Sequence, residues 1–218
     1  MDDLELTGGA RIGMFHASWP LAKLTVNKNK LDLNAGLIGN LCFRPSDIVS
    51  VEPGQFFTRM GIKIVHKVAG YPANVIFLTT ENTRNLIEFI NLTGFLTNNE
   101  KLPGDVEERI DSFQTNGRFP IKTFPAIALL VIWNLLCLFQ FTKFYNGEVE
   151  HGSFIGFQLA LGILLLVSVS TLTVKPVTEA ILKPGRTVKD LGVSLYFIIA
   201  LSAVMLIALT VAGNLIAK

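Results

Sequence analysis

Lys23, Lys28 and Lys30 stand within eight residues as K-LTVN-K-N-K, on one expected strand and the turn that follows it. Ammonium groups projecting from one hairpin pair with phosphate head groups, each contributing about 1 kcal/mol near an anionic surface before screening. Lysine lacks the planar two-point grip of arginine, so weak rather than tight phosphate recognition is expected. The same Asn and Lys residues are what any solvent-exposed turn uses, and a purely structural role stays open. A second group is Phe56, Phe57 and Arg59, in GQFFTRMG between two expected strands. Adjacent residues of an extended chain point to opposite faces. One phenylalanine is therefore expected in the core and the other as an exposed anchor for a partner or for the membrane interface. Burial of both through a bulge is the alternative.

The remaining inventory does not assemble into an enzyme. His16, His66 and His151 are scattered, without metal-ligand spacing or a nucleophile–base arrangement. Gly8-Gly9 and the Gly36 and Gly39 pair lack the strand-to-helix context and the lysine of a phosphate-binding loop. Cys42 and Cys137 are too few for a disulfide framework or a cysteine metal site, and read as packing residues. The expectation is a non-enzymatic protein with no cofactor and no metal. Nineteen Lys and Arg against seventeen Asp and Glu give a net charge of only +2, which argues for no nucleic acid.

The elements that position these groups fall into two halves. Half of all residues are hydrophobic and the mean hydropathy is +0.47, more apolar than a soluble domain tolerates. Residues 1–119 hold 12 of the 19 basic and 13 of the 17 acidic residues. The rest of the chain contains three uncharged stretches, residues 123–142, 152–174 and 191–217. Each is long enough to cross a hydrocarbon core of about 30 Å as a helix. No Asp, Glu, Lys or Arg falls within them, which disfavours a proton relay or ion path. Asn134, Gln140, Gln158 and Asn214 are their most polar residues, suited to hydrogen bonds between helices. Gly152, Gly156 and Ala160 recur at four-residue spacing, a seam that lets another helix approach closely.

Basic residues flanking the spans set the expected orientation, because Lys and Arg are retained on the cytoplasmic side. Lys101, Arg109, Arg118, Lys122, Lys175, Lys183, Arg186 and Lys189 lie on one side, against Lys143 and Lys218 on the other. A multi-pass protein of the plasma or inner membrane follows, with a cytoplasmic N-terminal domain and the C-terminus outside. The start, MDDLELTGG, is acidic and is not expected to be a signal peptide.

From residue 18 onward, short runs of alternating and β-branched residues are broken by Asn, Gly, Pro or Asp. Strands are expected over 18–26, 31–37, 40–43, 47–51, 60–67 and 74–80. A helix then starts with Thr80 as cap, carries Leu86, Phe89 and Ile90 on one stripe, and stops at Gly94. Residues 105–114 place Val106, Ile110 and Phe113 on a second stripe, whose acidic opposite face favours packing on the domain over lying on anionic lipid. This is an α+β arrangement, a partly open β-barrel closed by a C-terminal helix and followed by an all-α three-helix region.

The segments WPLAKLTV, KLDL, FRPSDIVSVEP, GIKIVHK, VIFLTT and NLIEFINLTGF, in this order, resemble the bacterial pleckstrin-homology-like, or GRAM-like, domain. The likeness spans about Trp19 to Phe95 and rests on pattern more than on individual residues. It implies a docking module for lipid or protein, of a kind commonly fused to membrane helices. It also implies that Lys23, Lys28 and Lys30 occupy the strand and turn where phosphoinositide-binding relatives carry a basic cluster, here ending in Lys where those end in Arg. The resulting map is a leader at 1–17, the domain at 18–96, a linker with a short amphipathic helix at 97–122, and the membrane helices at 123–218. Two functions follow from it. One is docking of an unidentified protein partner or of the anionic leaflet. The other is a structural subunit of a larger transport or envelope-assembly complex, joined as a homo- or hetero-oligomer through its helices.

Overall fold

The computed structural model describes residues 3–147 and 154–216, and two compact units emerge from it. The first comprises residues 1–120 together with 183–194; the second comprises 121–182 and 195–218. Three peptide connections therefore join them, at 120/121, 182/183 and 194/195.

The first unit is a curled antiparallel half-barrel of seven strands. These are β1 (Leu4–Ile12), β2 (Phe15–Val26), β3 (Leu31–Asn34), β4 (Asn40–Phe43), β5 (Ile48–Phe56), β6 (Arg59–His66) and β7 (Val75–Leu78), in sheet order β4-β3-β2-β1-β7-β6-β5. Ala22, Leu24 and Val26 alternate inward along β2, joined in the core by Leu31, Leu33, Ile62, Ile64 and Phe77. Helix α1 (Thr83–Leu92) covers this core with Leu86 and Ile90.

Residues 1–17, expected to be a leader, instead contain β1, which lies mid-sheet between β2 and β7. Gly8-Gly9 interrupts the alternation there, and glycine is poor strand material, which hides the strand in the sequence. The glycines are needed for geometry: the β1–β2 register shifts between Gly8 and Ala10, so that β1 pairs with β2 on both sides of the irregularity and with β7 on its other edge from Gly9 onward. Likewise a Cβ on Gly61 would overlap the carbonyl oxygen of Phe77, so β6 can approach β7 only without a side chain there. The strand expected over 31–37 stops at Asn34, ahead of a 3-10 turn at Gly36–Ile38. That expected over 47–51 runs on through Pro53 to Phe56; β5 is an edge strand, where the missing N–H of proline costs no ladder bond.

Both sheet edges are protected. β5 carries Pro53, and β4 is covered by side chains: Tyr71 Oη accepts from Cys42 N at 3.3 Å and Gln114 Nε2 donates to Cys42 O at 3.2 Å. Phe43, His66 and Tyr71 meet ring to ring between β4 and β6, with centroids 5.1 to 6.1 Å apart. Gln114 belongs to α2 (Gly104–Asn116), whose Ile110 and Phe113 are fully buried with Cys42. Residues 97–120, expected to be a linker, thus belong to the compact unit.

The second unit contains α3 (Thr123–Tyr145), α4 (Ile155–Thr173), the short α5 (Lys175–Ile181) and most of α6 (Gly192–Ile216). Among the described residues, three helices are long and apolar enough to cross a membrane, which makes the chain a multi-pass integral membrane protein in contact with the bilayer. α5 was not foreseen; Pro176 in its first turn suits a helix start. Gly156 meets α3 closely: its N–H donates to Gln140 Oε1 at 2.8 Å, and a Cβ would lie 2.6 Å from Leu136 O. Ala160, one turn on, is buried, and Phe141 and Phe157 meet edge to face at 5.5 Å. Gly152, the third residue of the expected seam, and His151 lie outside the described residues. Asn134 donates to Leu130 O of its own helix, and Gln158 reaches Thr210 Oγ1 at 3.4 Å.

Candidate docking surface

The lysine hairpin is built as expected but electrostatically matched. Asn27 Oδ1 accepts from the backbone of Asn29 and Lys30, both at 3.0 Å, which folds the turn. Lys23 forms an ion pair with Glu5 on the neighbouring β1. Lys28 Nζ lies 2.7 Å from Glu100 Oε2, and Asn98 Nδ2 donates to Lys28 O at 2.8 Å. Lys30 Nζ lies 3.6 Å from Asp32. Each lysine thus has a carboxylate beside it, that of Lys30 being shared with Arg109, and the field they present to an anionic surface is reduced.

The aromatic pair is different. Phe56 ends β5 half-buried, with the Arg11 guanidinium 4.4 Å from its ring centroid and His16 at 5.1 Å. Phe57 follows in the two-residue turn closed by the Phe56–Arg59 pair, at φ 52°, and its side chain is 81% exposed. A left-handed φ on an aromatic residue costs of order 1 kcal/mol or more, and here the turn holds it with Gln55 Nε2 donating to Phe57 O at 2.6 Å. No bulge buries the pair: one ring packs inside a basic collar and the other stands in solvent.

Beside this turn lies an open groove of about 980 Å³. Trp19 from β2, Pro53 from β5, Arg59 and Met60 from β6, and Arg84 from the first turn of α1 are among its walls. Trp19 is 61% and Met60 51% exposed, so two large apolar side chains face water together here. The α1 end is shaped by Asn82, which accepts from Arg84 N at 2.9 Å and takes the capping role expected of Thr80. Of the groove residues the sequence reading singled out Arg59 alone; Trp19, Met60 and Arg84 are far apart in sequence, and only the sheet order brings them together.

A buried polar cluster, unforeseen as a unit, lies where residues 183–194 join the half-barrel. Arg109 Nη2 on α2 lies 3.2 Å from Asp190 Oδ1 and 3.8 Å from Asp32 Oδ2. Asp190 Oδ2 accepts from Thr187 N at 2.6 Å, Asn40 Nδ2 donates to Asp190 O, and Asn34 Nδ2 donates to Lys189 O at 3.0 Å. Arg186 stacks 3.3 Å from the Phe113 ring centroid and donates to Gly117 O at 2.7 Å. Burial pushes the Asp32 carboxyl above its ordinary range, against the pull of Lys30 and Arg109. Burial likewise lowers the Arg186 pKa and raises those of Cys42 and Tyr71. The cluster fastens the α5–α6 connection to the half-barrel, and a buried thiol held neutral is no nucleophile.

Asp47, in the FRPSDIVSVE stretch, turns its carboxylate back on its own turn, accepting from Arg44 N at 2.9 Å and from Gln114 Nε2 at 2.7 Å. Among the described residues, no three His, Cys, Asp or Glu side chains converge as metal ligands. No family model matches the chain, and neither does any curated protein or any solved structure.

Proposed function

We propose that this chain is a non-enzymatic membrane protein whose half-barrel, a pleckstrin-homology-like module, docks a protein partner at the cytoplasmic surface. The observation that carries this reading is the groove with Trp19, Met60, Arg59 and Arg84 on its walls and the strained, exposed Phe57 beside it. Interfaces are anchored by aromatic and arginine side chains in such settings. Pairing of Lys23, Lys28 and Lys30 with carboxylates favours protein over anionic lipid at the hairpin. The run of strands ending in one covering helix is the order of elements on which the pleckstrin-homology resemblance rests. Cytoplasmic placement is supported by the eight-to-two distribution of flanking Lys and Arg. Residues 183–194 share a compact unit with the half-barrel, so Lys183, Arg186 and Lys189 count on the same side as the domain. The half-barrel is tethered to membrane helices, which raises its effective concentration toward a membrane-bound partner, so a weak surface suffices.

Photo-crosslinking from position 57 or 60 of the full chain in native membranes tests this. A discrete protein adduct, absent from position 28 and lost in an Arg59→Glu, Arg84→Glu variant, is expected. Adducts to lipid alone would overturn it.

A second reading, a subunit of a larger membrane complex, is favoured by α3, in which Gln140 is the one residue buried within the chain. A particle larger than the monomer, persisting in mild detergent after the Arg59→Glu, Arg84→Glu change, would support it.

A further inference from the structure

We propose that the β1–β2 hairpin tip, Met14 and Phe15 with Arg118 and Phe119 beside it, is a membrane seat that rests in the phospholipid head-group and upper acyl region. This surface is separate from the groove and does not depend on it. The tip is a two-residue turn closed by the Ile12–Phe15 pair, with Gly13 at φ 63° as the first central residue, the position a type II′ hairpin reserves for glycine. It is held firmly: Gly13 N donates to Asn74 O at 2.8 Å, and Arg11 Nε donates to Gly13 O at 3.2 Å. What this rigid turn presents is apolar. Met14 is 94% exposed, the most exposed large hydrophobic residue of the described chain, and Phe15 is 44% exposed.

Phe15 meets the Phe119 ring edge to face at 5.8 Å, and the Arg118 guanidinium sits 5.1 and 4.7 Å from the two ring centroids. Arg118 Nη1 donates to Ile12 O at 3.3 Å, which fixes the cation at the hairpin. Aromatic rings with an adjacent arginine, apolar body inward and charge toward phosphate, are the chemistry of the membrane interface.

The occupant follows from chain continuity. Phe119 stands four residues before Thr123, where α3 begins, so at most about 14 Å of extended chain separates the Phe15–Phe119 pair from a span. Pro120 O accepts from Lys183 N at 2.9 Å, so two of the three connections to the membrane helices leave the half-barrel side by side next to this pair. Chain continuity alone therefore keeps the pair within reach of the bilayer interface at which α3 starts.

The unmodified chain carries its own control. Thioether oxidation follows exposure, and Met14 is more exposed than Met60, at 94% against 51%. Free in water, Met14 would be oxidised by peroxide first. In lipid nanodiscs, where both leaflets are open to reagent, Met60 is expected to react before Met14. Met14 reacting first would overturn the proposal. Identity of the cover is read by a Met14→Trp change in a Trp19→Phe, Trp133→Phe chain, with Lys28→Trp in the same background at the far end of β2. Lipids brominated in the acyl chain should quench the indole at position 14 about twofold or more, as burial to about 5–10 Å requires, and leave that at position 28 unquenched. Shielding of Met14 without bromolipid quenching, or shielding that rises with the protein-to-lipid ratio, would assign the tip to a second copy and overturn the membrane seat.

Discussion

Arg109 and Asp190 are eighty-one residues apart in sequence and 3.2 Å apart in space. One is on the helix that follows the half-barrel; the other is on the connection that leads into the last membrane helix. Asp190 is also the N3 partner of Thr187 in a capping box, so one carboxylate both ends a local turn and fastens that turn to the domain. Replacing it leaves the Thr187 N–H without its acceptor and Arg109 with only the more distant Asp32, at 3.8 Å. Arg109 is 38% exposed, which places the loss between the limits for exposed and buried pairs, at about 2–3 kcal/mol. Asp190→Ala is expected to lower the unfolding free energy of the full chain by that amount, read from chemical denaturation, and to open residues 183–194 to protease. An unchanged cleavage pattern would show that the Asn34 and Asn40 contacts suffice.

Asp32 behaves oppositely to a paired surface carboxylate. Burial raises its folded pKa above the unfolded value, so the folded chain holds the proton more tightly. Its contribution to stability is fully present below about pH 4, the unfolded value, and is lost as pH rises through the raised folded value. Asn at this position keeps the shape and removes the titration. The midpoint of Asp32→Asn relative to the parent should therefore improve from pH 4 toward pH 7.5. A difference that is flat, or that reverses sign, would mean that Lys30 and Arg109 outweigh burial.

The parts of this fold legible in the sequence are those with local causes. Uncharged runs identify α3, α4 and α6 within a few residues, because bilayer thickness imposes length and hydropathy together. The Ile110 and Phe113 stripe identifies α2 as a packed helix, and alternation identifies β2 and β6. What escaped has non-local causes. β1 is strand because β2 and β7 both pair with it, in spite of its glycines. The Lys23–Glu5 and Lys28–Glu100 pairs join residues on different elements, so a basic cluster in sequence is neutral in space. Trp19, Met60 and Arg84 become neighbours only through the sheet order, as Arg109 and Asp190 do through docking of the connection.

Phe57 offers a separation of stability from docking. Its φ of 52° is the one positive value on a non-glycine among the described residues, and its ring is mostly in solvent. Glycine relieves the backbone and loses only the edge contact with Phe56, at 4.5 Å between centroids. Phe57→Gly is expected to leave stability unchanged or to raise it by up to about 1 kcal/mol while abolishing partner capture at the groove. A loss above about 1 kcal/mol in chemical denaturation would instead give the ring a structural role.

Within the membrane unit, two glycines of α4 make a paired test. Gly156 sits where a Cβ would lie 2.6 Å from Leu136 O and 2.8 Å from the Cβ of Gln140, so α3 must move to admit alanine. Gly162 has nothing within 4 Å of its Cβ position. Backbone cannot yield as a flexible side-chain end can, and overpacking of this kind costs about 1–3 kcal/mol. Gly156→Ala should therefore lower the thermal midpoint of the full chain in detergent. Gly162→Ala, which adds helix propensity in open space, should leave it level or raise it. Equal effects at the two positions would mean that the α3–α4 contact is not a tight seam, and that Gly156 serves only as an apolar membrane residue.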